Sequence, residues 1–237
     1  MKKLKSLLFA VIVIGSCGIA MAVDRENLKF YLPLEGSLHP SIAGGNTQLK
    51  FIKGTEKDAQ FVEGRRGQGL MVTPNFELQY LTRESFSARE GSIAFWMKPV
   101  EWSRANKIRF FLVARADQVV VHFYTYFGCP WLYIAGPTRY ELVGGGTWPL
   151  AFEKTPFADG EWVFFACTYK PGQQAFYING RQIICRTDGL IEPEFIKQGI
   201  VEIPPGDQVV DEIMVFDRVL TEQEIRGIYR GNVLDGK

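Results

Sequence analysis

From Leu28 onward the chain alternates short apolar or mixed runs with Gly, Pro, Asn and Asp. Alternation with a period of two is the signature of half-buried strands. It predicts strands over Gly91–Lys98, Arg109–Ala114, Val119–Tyr126, Trp131–Ala135, Trp162–Tyr169, Ala175–Ile178, Arg181–Cys185 and Val210–Phe216, as a minimum set. In Gly91–Lys98 both faces are apolar, with Ile93, Phe95 and Met97 on one side and Ala94 and Trp96 on the other, so this strand is expected to be central. Lys170-Pro171-Gly172-Gln173 and Asn179-Gly180 carry turn chemistry, the second suited to a tight primed turn, and together they join three antiparallel strands. One helix is legible. Thr221-Glu222-Gln223-Glu224 is a capping box, Ile225, Ile228 and Tyr229 form an apolar stripe, and Gly231 stops the helix. This short helix is expected to pack on a sheet edge or end.

Composition narrows the class. The 237 residues are 46% hydrophobic, 14% aromatic and 22% charged, which excludes disorder, coiled coil and collagen. No linker, low-complexity tract or repeat divides the chain, so a single antiparallel two-sheet β-sandwich, or jelly roll, is expected over residues 23–237. With 27 Lys+Arg against 26 Asp+Glu there is no basic surplus for nucleic acid.

Residues 1–22 read as an export signal: Lys2, Lys3 and Lys5 precede the apolar run Leu7–Ile14, and Ala20 and Ala22 suit cleavage after Ala22. Ile14-Gly15-Ser16-Cys17 also reads as a lipobox that would lipidate Cys17 and anchor the protein, and both readings stand. Loss of the three lysines leaves 24 basic against 26 acidic residues. No later stretch is long and apolar enough to span a bilayer, so the mature chain is expected to be periplasmic, secreted or held at the cell surface. Cys129, Cys167 and Cys185 remain, an odd number that allows at most one internal disulfide. Cys167 and Cys185 sit in apolar runs where burial is expected. No CxxC occurs and His39 and His122 lie far apart, which gives a zinc or iron site little support.

Four segments, in order, resemble the laminin G-like jelly-roll domains of the concanavalin A-like lectin and glucanase superfamily. They are Phe61–Leu70, which resembles that family's glycine-punctuated opening strand; Gly91–Pro99; Gly160-Glu161-Trp162 through Asn179-Gly180; and Asp211–Leu220 before the capped helix. The resemblance implies a sandwich over nearly the whole chain beyond the signal. It says less about function, because this fold carries lectins, adhesion modules and some hydrolases.

Aromatic residues favour a noncatalytic binding module with a glycan ligand. Tyr124, Tyr126, Phe127, Trp131, Tyr133, Tyr140 and Trp148 fall within one stretch interrupted by Gly128, Gly136 and Gly144-Gly145-Gly146. Trp131, Tyr140 and Trp148, beside Pro and Gly, are the expected stacking rings, with Arg139 and Glu141 as polar clamps to hydroxyls. Tyr124, Tyr126 and Tyr133, within strands, are expected to pack. A structural or protein-binding surface role is the alternative. A glycosidase is disfavoured: the Glu-x-Asp-x-x-Glu motif of related glucanases is missing, and Asp211 and Glu212, adjacent in a strand, should point to opposite faces. The resemblance also implies one structural Ca²⁺, for which Asp211 matches the acidic position; Asp207 and Glu35, each in a turn-like stretch near strand ends, are the accessory candidates. The competing reading pairs Asp211 or Glu212 with a basic neighbour such as Arg218.

Overall fold

The structure, a computed structural model, describes residues 25–45, 47–82, 85, 87, 89–101, 108–116, 119–126, 129–135, 140–143, 160–187 and 199–231. The proposed signal, with Cys17, lies outside them. The strands, in chain order, are β1 (Leu28–Leu32), β2 (Ile42–Ala43), β3 (Gln48–Lys53), β4 (Gln60–Glu63), β5 (Gln68–Val72) and β6 (Glu77–Thr82), then β7 (Gly91–Pro99), β8 (Ile108–Ala116), β9 (Val119–Tyr126), β10 (Cys129–Ala135) and β11 (Tyr140–Val143). β12 (Val163–Lys170), β13 (Gln173–Ile178), β14 (Arg181–Arg186), β15 (Gly199–Ile203) and β16 (Gln208–Phe216) follow, and the helix α1 (Glu222–Arg230) comes last.

They form two antiparallel sheets. One runs β14-β13-β12-β7-β16-β1-β2, with β5 also pairing β16 and β4 pairing β5; the other runs β11-β10-β9-β8-β15-β6-β3. Alternation explains the layering. Ile93, Phe95, Met97, Phe165, Val210 and Val215 point inward from the first sheet and meet Leu78, Tyr80, Phe111, Phe123, Leu132 and Ile134 from the second. Phe95 is the hinge of this core, edge-on to Phe123 at 5.0 Å and stacked on Phe165 at 5.6 Å.

β7 lies between β12 and β16 and is buried on both faces, as its sequence predicts. Its outward Ala94 and Trp96, with Phe164, Ala166 and Met214, form a second apolar layer covered by Ile225 and Ile228 of α1. Burial of such side chains stabilises by about 2 kcal/mol each. The helix therefore lies on this outer face, where outward residues of five strands make one apolar floor, and it comes close to the edge strand β14. Thr221 and Glu224 form the expected capping box, and Gly231 closes the helix in the left-handed region at φ 91°.

Two local expectations change. Phe61–Leu70 is a hairpin, not one strand: β4 and β5 pair from Gln60↔Met71 to Glu63↔Gln68. Gly64 donates to the Gly67 carbonyl at 3.1 Å, and Gly67 takes φ 42° to close the turn. Cys167 is buried but Cys185 is exposed, since β14 is the edge strand of its sheet; neither is disulfide-bonded. Asn179 (φ 50°) and Gly180 (φ 72°) do form the tight turn.

Candidate functional site

The outer face of β8–β10 is aromatic. Phe123, Leu132 and Ile134 alternate inward, which turns His122, Tyr124, Trp131 and Tyr133 outward. Register aligns them: Trp131 lies opposite Tyr124, Tyr133 opposite His122, and Phe110 opposite Tyr124 on the other side. Ring centroids are 5.5 Å apart for Phe110–Tyr124, 5.4 Å for Phe110–His122, 5.7 Å for His122–Tyr133 and 6.4 Å for Tyr124–Trp131, so five rings form one continuous platform. Phe110 is 38% exposed and neighbouring Ile108 51%. Burial, helped by the positive charge of Arg115, lowers the His122 pKa and keeps its imidazole neutral near pH 7. Arg115 of β8 and Gln79 of β6 both donate to Glu202 of β15, each at 2.8 Å, giving the platform a polar border.

Trp131 is half-buried on this outer face, within β10. Tyr124 and Tyr133 are half-buried and pack ring against ring with Trp131 and His122; that both are in phase with Trp131 shows only once β9 and β10 pair. Tyr140 lies opposite Ala135 and Glu141 opposite Ile134 in β11, but their side chains are outside the described residues, as are Arg139 and Trp148.

The acidic candidates gather on the other sheet. β16 carries a bulge between Asp211 and Met214, where three of its residues span two of β7, and Glu212 adopts φ 54°. The bulge brings Asp211 and Glu212 to the same outer side, contrary to the alternation expected for a regular strand. Asp211 Oδ2 accepts the backbone N–H groups of Arg65 (2.8 Å) and Arg66 (3.0 Å), while Oδ1 is buried without a partner. Glu212 accepts from the Tyr31 hydroxyl at 2.8 Å and lies 3.7 Å from the Arg66 guanidinium. Burial pushes the Asp211 carboxyl up to about 7 and raises those of Glu212 and the Tyr31 hydroxyl.

Glu35 accepts from the Gln68 amide at 2.9 Å, and Asp207 pairs with Arg109 at 3.1 Å. Arg218, the expected partner of Asp211 or Glu212, instead grips Glu224. This donor set does not fit calcium: Asp211 and Glu35 face amide N–H groups, Asp207 and Glu212 face guanidinium groups, and no three acidic, His or Cys side chains converge among the described residues. The acidic pair at the helix start is also engaged, Glu222 with Arg226 and Glu224 with Arg218. Among the described residues no helix is long and apolar enough to cross a membrane.

Comparison with known families matches residues 75–226 to Laminin G 3, of the concanavalin A-like lectin/glucanases superfamily. Comparison with curated protein sequences gives no match. Among solved structures, the binding domain of Paraclostridial Mosquitocidal Protein 1 is similar at TM-score 0.68 and 19% identity, over 86% of this chain and 52% of that one. The receptor binding domain of botulinum neurotoxin D gives TM-score 0.69 at 13% identity, over 87% of this chain and 53% of that one. The binding domain of botulinum neurotoxin DC, in complex with rat synaptotagmin II, gives TM-score 0.67 at 12% identity, over 88% and 52%. The chain thus spans about half the length of these structures.

Proposed function

Because the chain belongs to the concanavalin A-like lectin/glucanases superfamily, we propose that it is an exported, noncatalytic binding module whose ligand is a glycan. The continuous platform of Phe110, His122, Tyr124, Trp131 and Tyr133 carries this reading. Phe110 is exposed and the other four rings half-buried, so the platform offers ring surface to sugar C–H faces, and the Arg115–Glu202–Gln79 border supplies donors and an acceptor for hydroxyls. Export rests on residues 1–22, with cleavage after Ala22 or lipidation of Cys17 told apart by the mass of the mature N-terminus.

The test is binding of the purified protein to a broad glycan array, beside the Trp131→Ala and Tyr133→Ala variants. A saccharide-selective signal that each substitution weakens by about fivefold or more supports the platform, since one stacked ring contributes on the order of 1 kcal/mol. A folded protein with no selective signal overturns the glycan reading. The second reading, a protein-binding surface, is favoured by exposed Ile108 and Phe110 at the platform's margin. It accords with two of the similar toxin domains, the receptor binding domain of botulinum neurotoxin D and the binding domain of neurotoxin DC in complex with rat synaptotagmin II.

A further inference from the structure

A cavity of about 230 Å³ opens where α1 crosses the outer face of the first sheet, lined by Arg65, Arg66, Arg230, Trp96, Tyr229 and Gly231. It lies across the sandwich from the aromatic platform, because Trp96 points outward from one sheet and the platform outward from the other, with the core between them. Three arginines line it and no acidic residue does.

The walls are built rather than loose. The Arg65 guanidinium lies 4.5 Å from the centre of the Trp96 ring, which stacks on Tyr229 at 5.5 Å. Arg66 donates to the Gly231 carbonyl at 2.6 Å. The turn holding both arginines is pinned from below by Asp211, through their two amides.

Helix capping explains only part of this charge. The C-terminal end of a helix is equivalent to roughly half a negative charge, and Arg66 already bonds its last carbonyl. Glu212 offsets one further positive charge at 3.7 Å from Arg66. The guanidinium groups of Arg65 and Arg230 have no carboxylate partner among the described residues, so the cavity keeps a surplus of more than one positive charge. Guanidinium groups arrayed around a hollow present paired N–H donors, which match the oxygens of a sulfate, phosphate or carboxylate. The volume lies below the range of roughly 300–1,000 Å³ that holds drug-sized ligands, which limits the occupant to a single headgroup-sized unit.

We propose that this cavity is a second binding site, for an oxyanion carried on a group about the size of one sugar ring. The site is independent of the glycan platform and does not require it.

The experiment measures binding of inorganic sulfate, inorganic phosphate, glucuronate and a sulfated monosaccharide to the purified protein by calorimetry, with chloride at matched ionic strength as reference. Saturable binding of at least one oxyanion is expected, weakened about tenfold in Arg230→Gln and further in Arg65→Gln/Arg230→Gln. Tighter binding of the sugar-bearing anions identifies a saccharide substituent as the source; equal binding of the inorganic ions identifies a simple oxyanion site. Arg230 is exposed on the last helical turn, so its variant keeps the test meaningful if the double variant unfolds. Binding that matches chloride, or that Arg230→Gln leaves unchanged, overturns the proposal. Trp131→Ala must leave oxyanion binding intact, which separates failure here from failure of the platform.

Discussion

Asp211 and Arg66 meet through the backbone: Asp211 Oδ2 accepts the Arg66 amide at 3.0 Å and the Arg65 amide at 2.8 Å, fixing the β4–β5 turn onto β16. Asp211→Ala orphans both amides, and each unsatisfied buried donor costs about 1–3 kcal/mol. A loss of about 2 kcal/mol or more is expected in urea unfolding. Asp211→Asn retains a carbonyl acceptor and should lose less. An Ala variant as stable as the native protein would show that the turn holds itself.

The same carboxyl sets a pH dependence. Its folded pKa, pushed up to about 7 from 3.8 by burial, means that the folded state holds the proton more tightly than the unfolded chain. Its contribution is fully present below about pH 4 and is lost as pH rises through 7, on the order of 4 kcal/mol in all. The raised Glu212 carboxyl acts in the same sense, whereas His122, lowered, destabilises on acidification below its unfolded value. Unfolding free energies at pH 5 and pH 8 for the native protein and Asp211→Asn isolate the effect. The native protein should lose more stability than the variant over this range, and parallel curves would refute the assignment.

Glu224 works in the opposite direction. Paired hydrogen bonds from Arg218 at 2.6 and 3.0 Å, with the Thr221 contacts, hold its carboxyl down to about 2. Its contribution is present above pH 4.5 and disappears as pH falls through 2. Glu224→Gln should cost about 1–2 kcal/mol at pH 7 and almost nothing at pH 2. Loss of α1 helicity by circular dichroism should follow the same curve.

Gly91 tolerates no side chain. A Cβ there would lie 2.5 Å from the Tyr169 hydroxyl and 2.8 Å from the Phe216 carbonyl, both fixed in the packed first sheet. Gly91→Ala should cost more than about 2 kcal/mol. Gly172→Ala, with open space around it but φ 74°, should cost only about 1 kcal/mol. Melting temperatures that rank the two the other way would contradict this account.

Local patterning made much of the fold legible. The alternation in Gly91–Lys98 and Val210–Phe216, the Asn179-Gly180 turn and the Thr221–Glu224 box each act over a few residues, so a single sequence displays them. Long-range pairing is what it hides. Nothing near Phe61 shows that the chain doubles back at Gly64–Gly67, and nothing near Tyr124 or Tyr133 shows that their strands place them beside Trp131. The Asp211–Glu212 bulge was hidden for the same reason, since an extra residue has no meaning until a partner strand is aligned against it. Nor could sequence spacing join Arg65 to Arg230, which only the sheet and helix bring together.

Glu212 is a supernumerary residue in β16, and the strand behaves as if it had been inserted without a frame error. Val210 and Ile213 both face the inter-sheet core, and Asp211 and Met214 both face outward, so the inside–outside order reads correctly across the bulge once Glu212 is skipped. Deleting Glu212 should therefore leave Ile213, Val215, Met214 and Phe216 in their present layers. Adding one residue at any regular position of the same strand would exchange the two layers from that point on, and send Val215 into the space now filled by Phe216.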